Sequence, residues 1–125
     1  MNKDPESEAA RLRAILKKHW GYDDFRELQL DIMLSAMAGH DTLALMPTGG
    51  GKSICFQVPA LALGGLCIVV TPLVSLMKDQ VDNLRRRNIS AVFLHAGMTN
   101  HERTVAWERI ASGRCRFLYV SPERL

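Results

Sequence analysis

A glycine-rich turn, Met46-Pro47-Thr48-Gly49-Gly50-Gly51-Lys52-Ser53, constrains the fold of this chain more than any other stretch. The strand-like run 42–46 leads into the turn, and the helix-permissive run 53–63 leads out of it. Glycines let several backbone N–H groups converge on one point, and the following helix directs its positive end at the same point. The sequence therefore predicts a phosphate-binding loop in which Lys52 reaches the β- and γ-phosphates and Ser53 ligates Mg²⁺.

One mismatch leaves an alternative open. The strict phosphate-loop pattern places a glycine where this chain has Met46, so only the relaxed form PTGGGKS is present. The alternative is a flexible turn that carries a solvated lysine. Three glycines followed by Lys-Ser at a strand-to-helix junction are unusual for a plain turn, which favours the phosphate loop.

Composition indicates a folded chain, because 47% of the 125 residues are apolar and the net charge is only +3. This mildly basic balance is compatible with an anionic partner but does not establish one. The three cysteines form no C-x-x-C pair and the four histidines are scattered, so neither a disulfide framework nor a zinc site is predicted. The N-terminus lacks an apolar signal core, and the near-apolar run 61–70 is too short to span a bilayer. We therefore expect a soluble protein of a reducing compartment.

Strand-like segments alternate with helix-like segments after two leading helices. The leading helices are predicted from Asp4-Pro5 to Gly21 and from Asp24 to Gly39, each with an apolar stripe at helical spacing. Apolar runs then predict strands at 42–46, 66–70, 91–94 and 117–120, with helices between them. This alternation is typical of an α/β fold with a mostly parallel sheet and helices on both faces. The continuous β-branched run 66–70 further predicts a strand that is buried on both faces.

Local signals predict where several helices begin and end. Asp24 to Glu27 and Thr99 to Glu102 both have capping-box spacing. Thr71-Pro72 and Ser121-Pro122 each have the form of a helix start, and Pro59 is expected to bend or end the helix in which it lies.

Two further interpretations concern charge and length. The basic residues of the first helix are interpreted as a solvated face, and Arg85-Arg86-Arg87 as charges that complement a helix C-terminus. The helix start at Ser121-Pro122 comes less than one turn before Leu125. We therefore expect the chain to be a fragment of a larger domain.

Several motifs occur in an order that resembles one family. FRELQ, GHD, MPTGGGKS, TPLVSLMKDQV and YVSPERL together resemble the N-terminal half of the first motor domain of RecQ-family DNA helicases, over roughly residues 12–125. MPTGGGKS alone would fit many helicases, whereas TPLVSLMKDQV with SPERL is specific to this family. The resemblance implies a RecA-like domain that is incomplete because of truncation. It would comprise N-terminal helices with an adenine-recognition motif in residues 1–40, and the first part of the ATP-binding domain in residues 41–125.

The resemblance also implies roles for individual residues. The residues expected to bind ATP are Tyr22, Arg26, Gln29, Thr48, Gly49, Gly50, Gly51, Lys52 and Ser53. Of these, Lys52 and Ser53 would serve catalysis, and Ser53 would hold Mg²⁺. The residues expected beside single-stranded or forked DNA are Ser75, Lys78, Gln80, Ser121 and Arg124. Each role has a plainer alternative: a core aromatic for Tyr22, a surface ion-pair partner for Arg26, and solvated helix positions for Gln29, Ser75 and Gln80.

The family reading implies an enzyme that couples ATP hydrolysis to DNA unwinding in recombination and repair. It would be located in the cytoplasm of a bacterium or in the nucleus of a eukaryote. The family's acidic DEAH-type motif does not occur in these 125 residues, and neither does its arginine finger or its zinc-binding region. We therefore expect this stretch alone to be inactive. Two alternatives stay open, a nucleotide- or nucleic-acid-binding module that hydrolyses nothing and a P-loop kinase acting on a small molecule.

Overall fold

A computed structural model of the chain describes residues 5–26, 29–39 and 53–124. These residues form two compact units, which divide between Gly64 and Gly65. None of the described helices is long and apolar enough to cross a membrane. The predicted strand 42–46 and the predicted domain boundary after residue 40 lie outside the described residues and stay predictions. The elements, in chain order, are α1 (Pro5–Trp20), α2 (Gln29–Met37), α3 (Ile54–Leu63), β1 (Cys67–Val70), α4 (Val74–Arg86), β2 (Ala91–Leu94), α5 (Asn100–Ala111), β3 (Phe117–Val120) and a 3-10 turn (Pro122–Arg124).

The three helices described in the first unit pack around one apolar core. Leu12 and Leu16 of α1, Met33 of α2 and Val58 of α3 are almost fully buried in it. The α1 and α2 positions belong to the helical stripes that the sequence predicts. Helix α1 ends before Gly21, whose φ of 77° suits the residue that follows a helix.

Pro59 does not end α3, although the sequence favours a helix end or a bend there. The helix continues to Leu63 and is followed by Gly64 at its C-cap. A proline inside a helix removes one backbone hydrogen bond. Pro59 is buried, so tertiary packing outweighs this local cost.

The sheet of the second unit is parallel, with the strand order β1-β3-β2. The central strand β3 is buried along its whole length. On one face of the sheet Val92 and Leu118 pack in a cluster with Ala106 of α5. On the other face Tyr119 reaches Gln80 of α4. The predicted α/β fold, with a parallel sheet and helices on both faces, is confirmed.

Strand β1 departs from the expected burial on both faces. Ile68 is 56% exposed and Val70 is 47% exposed. Their partners in the register are Leu118 and Val120, which are buried. Within the second unit, helix α5 packs mainly against β2, two strands away, so this side of β1 stays partly exposed. The second unit is therefore an incompletely covered sheet, as expected for part of a RecA-like domain.

Two of the three helix starts predicted in the second unit behave differently, and the third, at Ser121-Pro122, opens the 3-10 turn. At α5 the capping box is present: the Glu102 N–H donates to the Thr99 hydroxyl at 3.1 Å, and the Thr99 N–H donates to the Glu102 carboxylate at 2.9 Å. At α4 the N-cap is Leu73, so the prediction that Thr71-Pro72 caps this helix is wrong. The Thr71 hydroxyl instead accepts from the Leu73 N–H at 3.3 Å, one residue before the helix.

Candidate nucleotide and nucleic-acid sites

A cavity of about 470 Å³ opens in the first unit between the end of α1 and the starts of α2 and α3. Three residues that the sequence assigns to adenine line it, namely Tyr22, Arg26 and Gln29. Ile54, the first residue of α3, lines it as well. Tyr22 is 50% exposed and is not a core aromatic. The structure therefore brings the predicted adenine residues together beside the helix that follows the predicted phosphate loop.

Gln29 is the most buried of the three, with 3% of its surface exposed. Its side-chain oxygen accepts a hydrogen bond from the Arg26 N–H at 2.7 Å, and its own N–H donates to the Arg26 carbonyl at 2.9 Å. The first bond is one half of a capping box, in which a Gln side chain accepts from the N–H three residues before it, and the second is a backbone turn bond. The alternative of a solvated helix position is wrong for Gln29, which fixes the turn that leads into α2.

Basic side chains of α1 form ion pairs with the loop that carries Tyr22. Arg13 pairs with Asp24 at 2.9 Å, and Lys17 pairs with Asp23 at 3.5 Å. The Arg13 hydrogen bond holds the pKa of Asp24 below its usual range, and the Phe25 N–H lowers it further. Arg13 is therefore more than part of a solvated face, whereas Lys17 lies exposed as the sequence suggests. Partners that are eleven residues apart in sequence, as Arg13 and Asp24 are, give no local signal.

The expected capping box at Asp24 is only partly described, because Glu27 lies outside the described residues. The Asp24 carboxylate accepts from the Phe25 N–H at 2.8 Å as well as from Arg13. Helix α2 is described from Gln29, five residues further on.

The predicted phosphate loop, Thr48 to Lys52, lies outside the described residues and stays a prediction. Ser53 is described, and its backbone is helical directly before α3. Its carbonyl accepts from the Gln57 N–H at 2.9 Å, but its hydroxyl does not cap the helix. The first N–H groups of a helix lack partners within the helix, and the sequence predicts the phosphate loop directly before α3.

The residues predicted to lie beside DNA divide into two groups. Ser75 and Lys78 are exposed on the first two turns of α4. They are three residues apart, so they share one helix face. Because α4 follows β1 directly, its start lies near the carboxyl ends of the parallel strands, where ligands bind in open α/β sheets.

The other group is less accessible. Gln80 is half-buried and accepts the Tyr119 hydroxyl at 2.5 Å, so it supports the core and is not a plain solvated position. Ser121 is 1% exposed, and its hydroxyl has no partner among the described residues. The prediction did not anticipate that Ser121 lies in the interior. Of Arg124 the structure describes the backbone of the 3-10 turn only.

Glu102 at the start of α5 connects α5 electrostatically with α4. Its two hydrogen bonds to Thr99 lower its pKa, and the nearby charges of His95 and Lys78 lower it further. A carboxyl whose pKa is lower in the folded state stabilises that state above its unfolded pKa. This contribution is lost as the pH falls through the folded pKa.

We expect Glu102→Gln to make the unfolding temperature of the chain less sensitive to acid between about pH 7 and about pH 3. Glutamine keeps an oxygen for the Thr99 N–H but does not titrate. Thermal unfolding followed by circular dichroism measures the effect, with Glu108→Gln on the same helix as the control. An acid sensitivity equal to that of the unsubstituted chain would show that the Glu102 charge does not stabilise α5.

The parallel sheet of the second unit, with helices on both faces, is consistent with part of a RecA-like α/β domain. The family model of the DEAD/DEAH box helicases matches residues 26–125. The chain belongs to this family. The match favours a helicase over the small-molecule kinase that the sequence left open.

Several RecQ helicases are similar to the chain, which confirms the resemblance seen in its motifs. It is 46% identical to the ATP-dependent DNA helicase RecQ of Synechocystis sp., over 91% of this chain and 24% of that protein. It is 44% identical to that of Haemophilus influenzae, over 90% of this chain and 18% of that protein. It is 42% identical to the ATP-dependent DNA helicase RecQ of Bacillus subtilis, over 92% of this chain and 20% of that protein. The chain thus spans a quarter or less of the length of these relatives.

Proposed function

We propose that this chain is the first part of the motor domain of an ATP-dependent DNA helicase, which couples ATP hydrolysis to DNA unwinding in recombination and repair. The observation that most supports this proposal is the cavity lined by Tyr22, Arg26, Gln29 and Ile54. It combines the residues expected to hold adenine with the start of the helix expected to receive the phosphates. The names of the similar proteins support the same activity.

In the nucleotide half, adenine lies in the cavity, with Tyr22 and Arg26 on its faces and Gln29 at its edge. Thr48 to Gly51 supply backbone N–H groups and Lys52 supplies a positive charge to the phosphates. The Ser53 hydroxyl, directly after Lys52 in the predicted loop, would ligate the Mg²⁺ that accompanies ATP. When bound, the metal neutralises charge on the β- and γ-phosphates.

Binding is proposed for this stretch, and turnover for the longer protein of which it would be part. Phosphoryl transfer depends on positioning, metal ions and charge stabilisation. The D-E-x-H pattern that would hold the metal does not occur in these 125 residues. The alternative is a binding module that hydrolyses nothing. ATPase assays of a longer protein that contains this chain discriminate the two.

In the DNA half, a phosphate of a single strand lies at the start of α4. The first N–H groups of this helix have no side-chain cap from Leu73, and Ser75 and Lys78 are exposed beside them. Backbone N–H groups, a hydroxyl and an ammonium are the donors that bind phosphate. Ser121 and Gln80 support this edge from inside, and a forked substrate would place its single strand here.

We expect Lys78→Ala to weaken single-strand binding and to reduce the slope of log K against log salt by about 0.7, the value for one lost phosphate contact. Fluorescence anisotropy with a labelled oligonucleotide at several salt concentrations measures this slope. Arg114→Ala is the matched control, because Arg114 is exposed and precedes β3, at the amino ends of the strands. An unchanged slope for Lys78→Ala would assign Lys78 to a solvated face.

A further inference from the structure

Among the strands that the structure describes, β2 forms one edge of the sheet. Strand β2 pairs with β3 on one side only, among the residues that the structure describes. The Ser90 and Leu94 carbonyls accept from the N–H groups of Arg116 and Ser121, so they point towards β3. Backbone groups alternate in direction along a strand.

The intervening residues therefore present their backbone groups to the free side of β2. The Ala91 carbonyl shows this directly, since it accepts from the Arg85 guanidinium at 3.0 Å. Phe93, two residues further on, presents both its N–H and its C=O to the same side. A free N–H and C=O from one residue are what an added strand pairs with.

A groove of about 210 Å³ lies beside this edge, formed by residues of α4, β2 and α5 and the turn before α5. Its apolar lining includes Val92, Phe93, Met98 and Val105. Met98 and Val92 are buried, whereas Phe93 and Val105 are half-buried. The volume is sufficient for one aliphatic side chain, and the lining offers it an apolar environment.

The charged rim of the groove is mainly positive. Arg85 of α4 and Arg109 of α5 both line it, and neither forms a salt bridge within the described part of the chain. Burial lowers the pKa of Arg85, and the like charge of Arg109 lowers it further, against the opposing effect of Asp82. The one carboxylate that lines the groove, Glu102, is already bonded to Thr99. Two arginines whose charges repel each other favour an anionic partner at this edge.

We propose that this groove binds an extended peptide of a partner protein that carries both acidic and apolar residues. The peptide pairs with Phe93 as a fourth strand, one apolar side chain enters the groove, and a carboxylate lies between Arg85 and Arg109. Charge alone would suit nucleic acid equally well. A peptide is favoured because it donates an N–H to the Phe93 carbonyl, which a phosphate group does not do. This partner surface goes beyond the proposed helicase function and does not depend on it.

The test uses the 125-residue chain and a labelled probe peptide of about eight residues, a usual strand length, in which Asp and Val alternate. We expect saturable binding in fluorescence anisotropy. Arg109→Glu is expected to weaken it by at least about tenfold, because charge-assisted hydrogen bonds are lost and a repulsion is gained. Arg114→Glu makes the same charge change at an exposed position outside the groove and is expected to leave the affinity unchanged.

Modified peptides separate strand addition from simple charge attraction. Replacing Asp by Lys is expected to abolish binding. Two further peptides carry methyl groups on alternate backbone nitrogens, at the odd or at the even positions. One of the two is expected not to bind, because its methylated N–H groups are those that would pair with β2. Circular dichroism verifies that each variant is folded, and Arg109→Gln serves as a milder variant.

The proposal is overturned if the Asp-Val peptide does not bind, or if Arg109→Glu and Arg114→Glu lower the affinity for this peptide equally. Binding that is insensitive to backbone methylation in both registers overturns it too. So does a result in which Arg109→Glu leaves peptide binding intact but weakens single-stranded DNA binding, which would make this edge a nucleic-acid surface.

Discussion

Lys52→Ala is expected to lower the affinity of this chain for ATP by at least about tenfold, because a hydrogen bond to a charged group contributes roughly 1.5–3 kcal/mol. Lys52 is the only charged side chain of the predicted phosphate loop. The loop itself lies outside the described residues, so this experiment tests the part of the site for which the structure gives no geometry. Isothermal titration calorimetry with ATP and Mg²⁺ measures the change.

Lys78→Ala is the control for the loss of a lysine, since Lys78 is assigned to DNA and lies on an exposed face of α4. It should bind ATP as the unsubstituted chain does. Equal ATP affinity for the Lys52 variant and the unsubstituted chain would contradict the phosphate-loop interpretation and favour a flexible turn with a solvated lysine.

The first and last residues of an element could be predicted from the sequence where residues close by in the chain determine them. Strands β2 and β3 begin and end where the apolar runs 91–94 and 117–120 do. Helix α5 begins after Thr99 because the two hydrogen bonds of its capping box are made within four residues. Such signals are complete within a short stretch and need no tertiary information.

Features that depend on distant partners could not be predicted. Gln80 and Tyr119 are 39 residues apart in sequence, and their hydrogen bond forms only because α4 packs on the sheet. Ser121 follows the central strand directly, so strand order decides its burial. The exposure of Ile68 and Val70 reflects which elements cover β1, which an apolar run does not reveal.

The structure describes the two halves of the predicted site to different degrees. The sequence grouped Tyr22, Arg26 and Gln29 by motif, and the structure brings them to one cavity. The sequence did not predict the ion pairs between basic residues of α1 and this loop. In the DNA half, among the side chains that the structure describes, Ser75 and Lys78 lie exposed as expected, whereas Gln80 and Ser121 are more buried.

The second large effect is expected at Gln29. A side-chain amide has an acceptor and two donors, and adenine presents an amino donor next to a ring-nitrogen acceptor. Guanine presents two acceptors at that edge, so the Gln29 oxygen would face another oxygen. A good bidentate pair discriminates by about 1–3 kcal/mol, or roughly 5- to 150-fold. We therefore expect ATP to bind in preference to GTP and Gln29→Ala to remove most of that preference.

The structure adds a second role for Gln29 that the experiment must separate from the first. Its oxygen also accepts from the Arg26 N–H, which a carbonyl oxygen with two lone pairs allows. Alanine removes this bond as well, and losing a capping contact costs about 0.5–2 kcal/mol. A loosened turn lowers the affinities for ATP and GTP by the same factor, whereas a lost base contact changes the ratio of the two affinities. The ATP-to-GTP affinity ratio is therefore the decisive readout.

Arg13→Ala provides the matched control for a loosened loop. Arg13 pairs with Asp24 in the segment between Tyr22 and Arg26, and it is not among the residues that line the cavity. Its loss should weaken ATP and GTP by similar factors and leave their ratio unchanged, while Gln29→Ala lowers the ratio towards one. Competition binding with both nucleotides on the three proteins gives the ratios. If the ratio of the Gln29 variant equals that of the unsubstituted chain, Gln29 holds the turn but another group selects adenine.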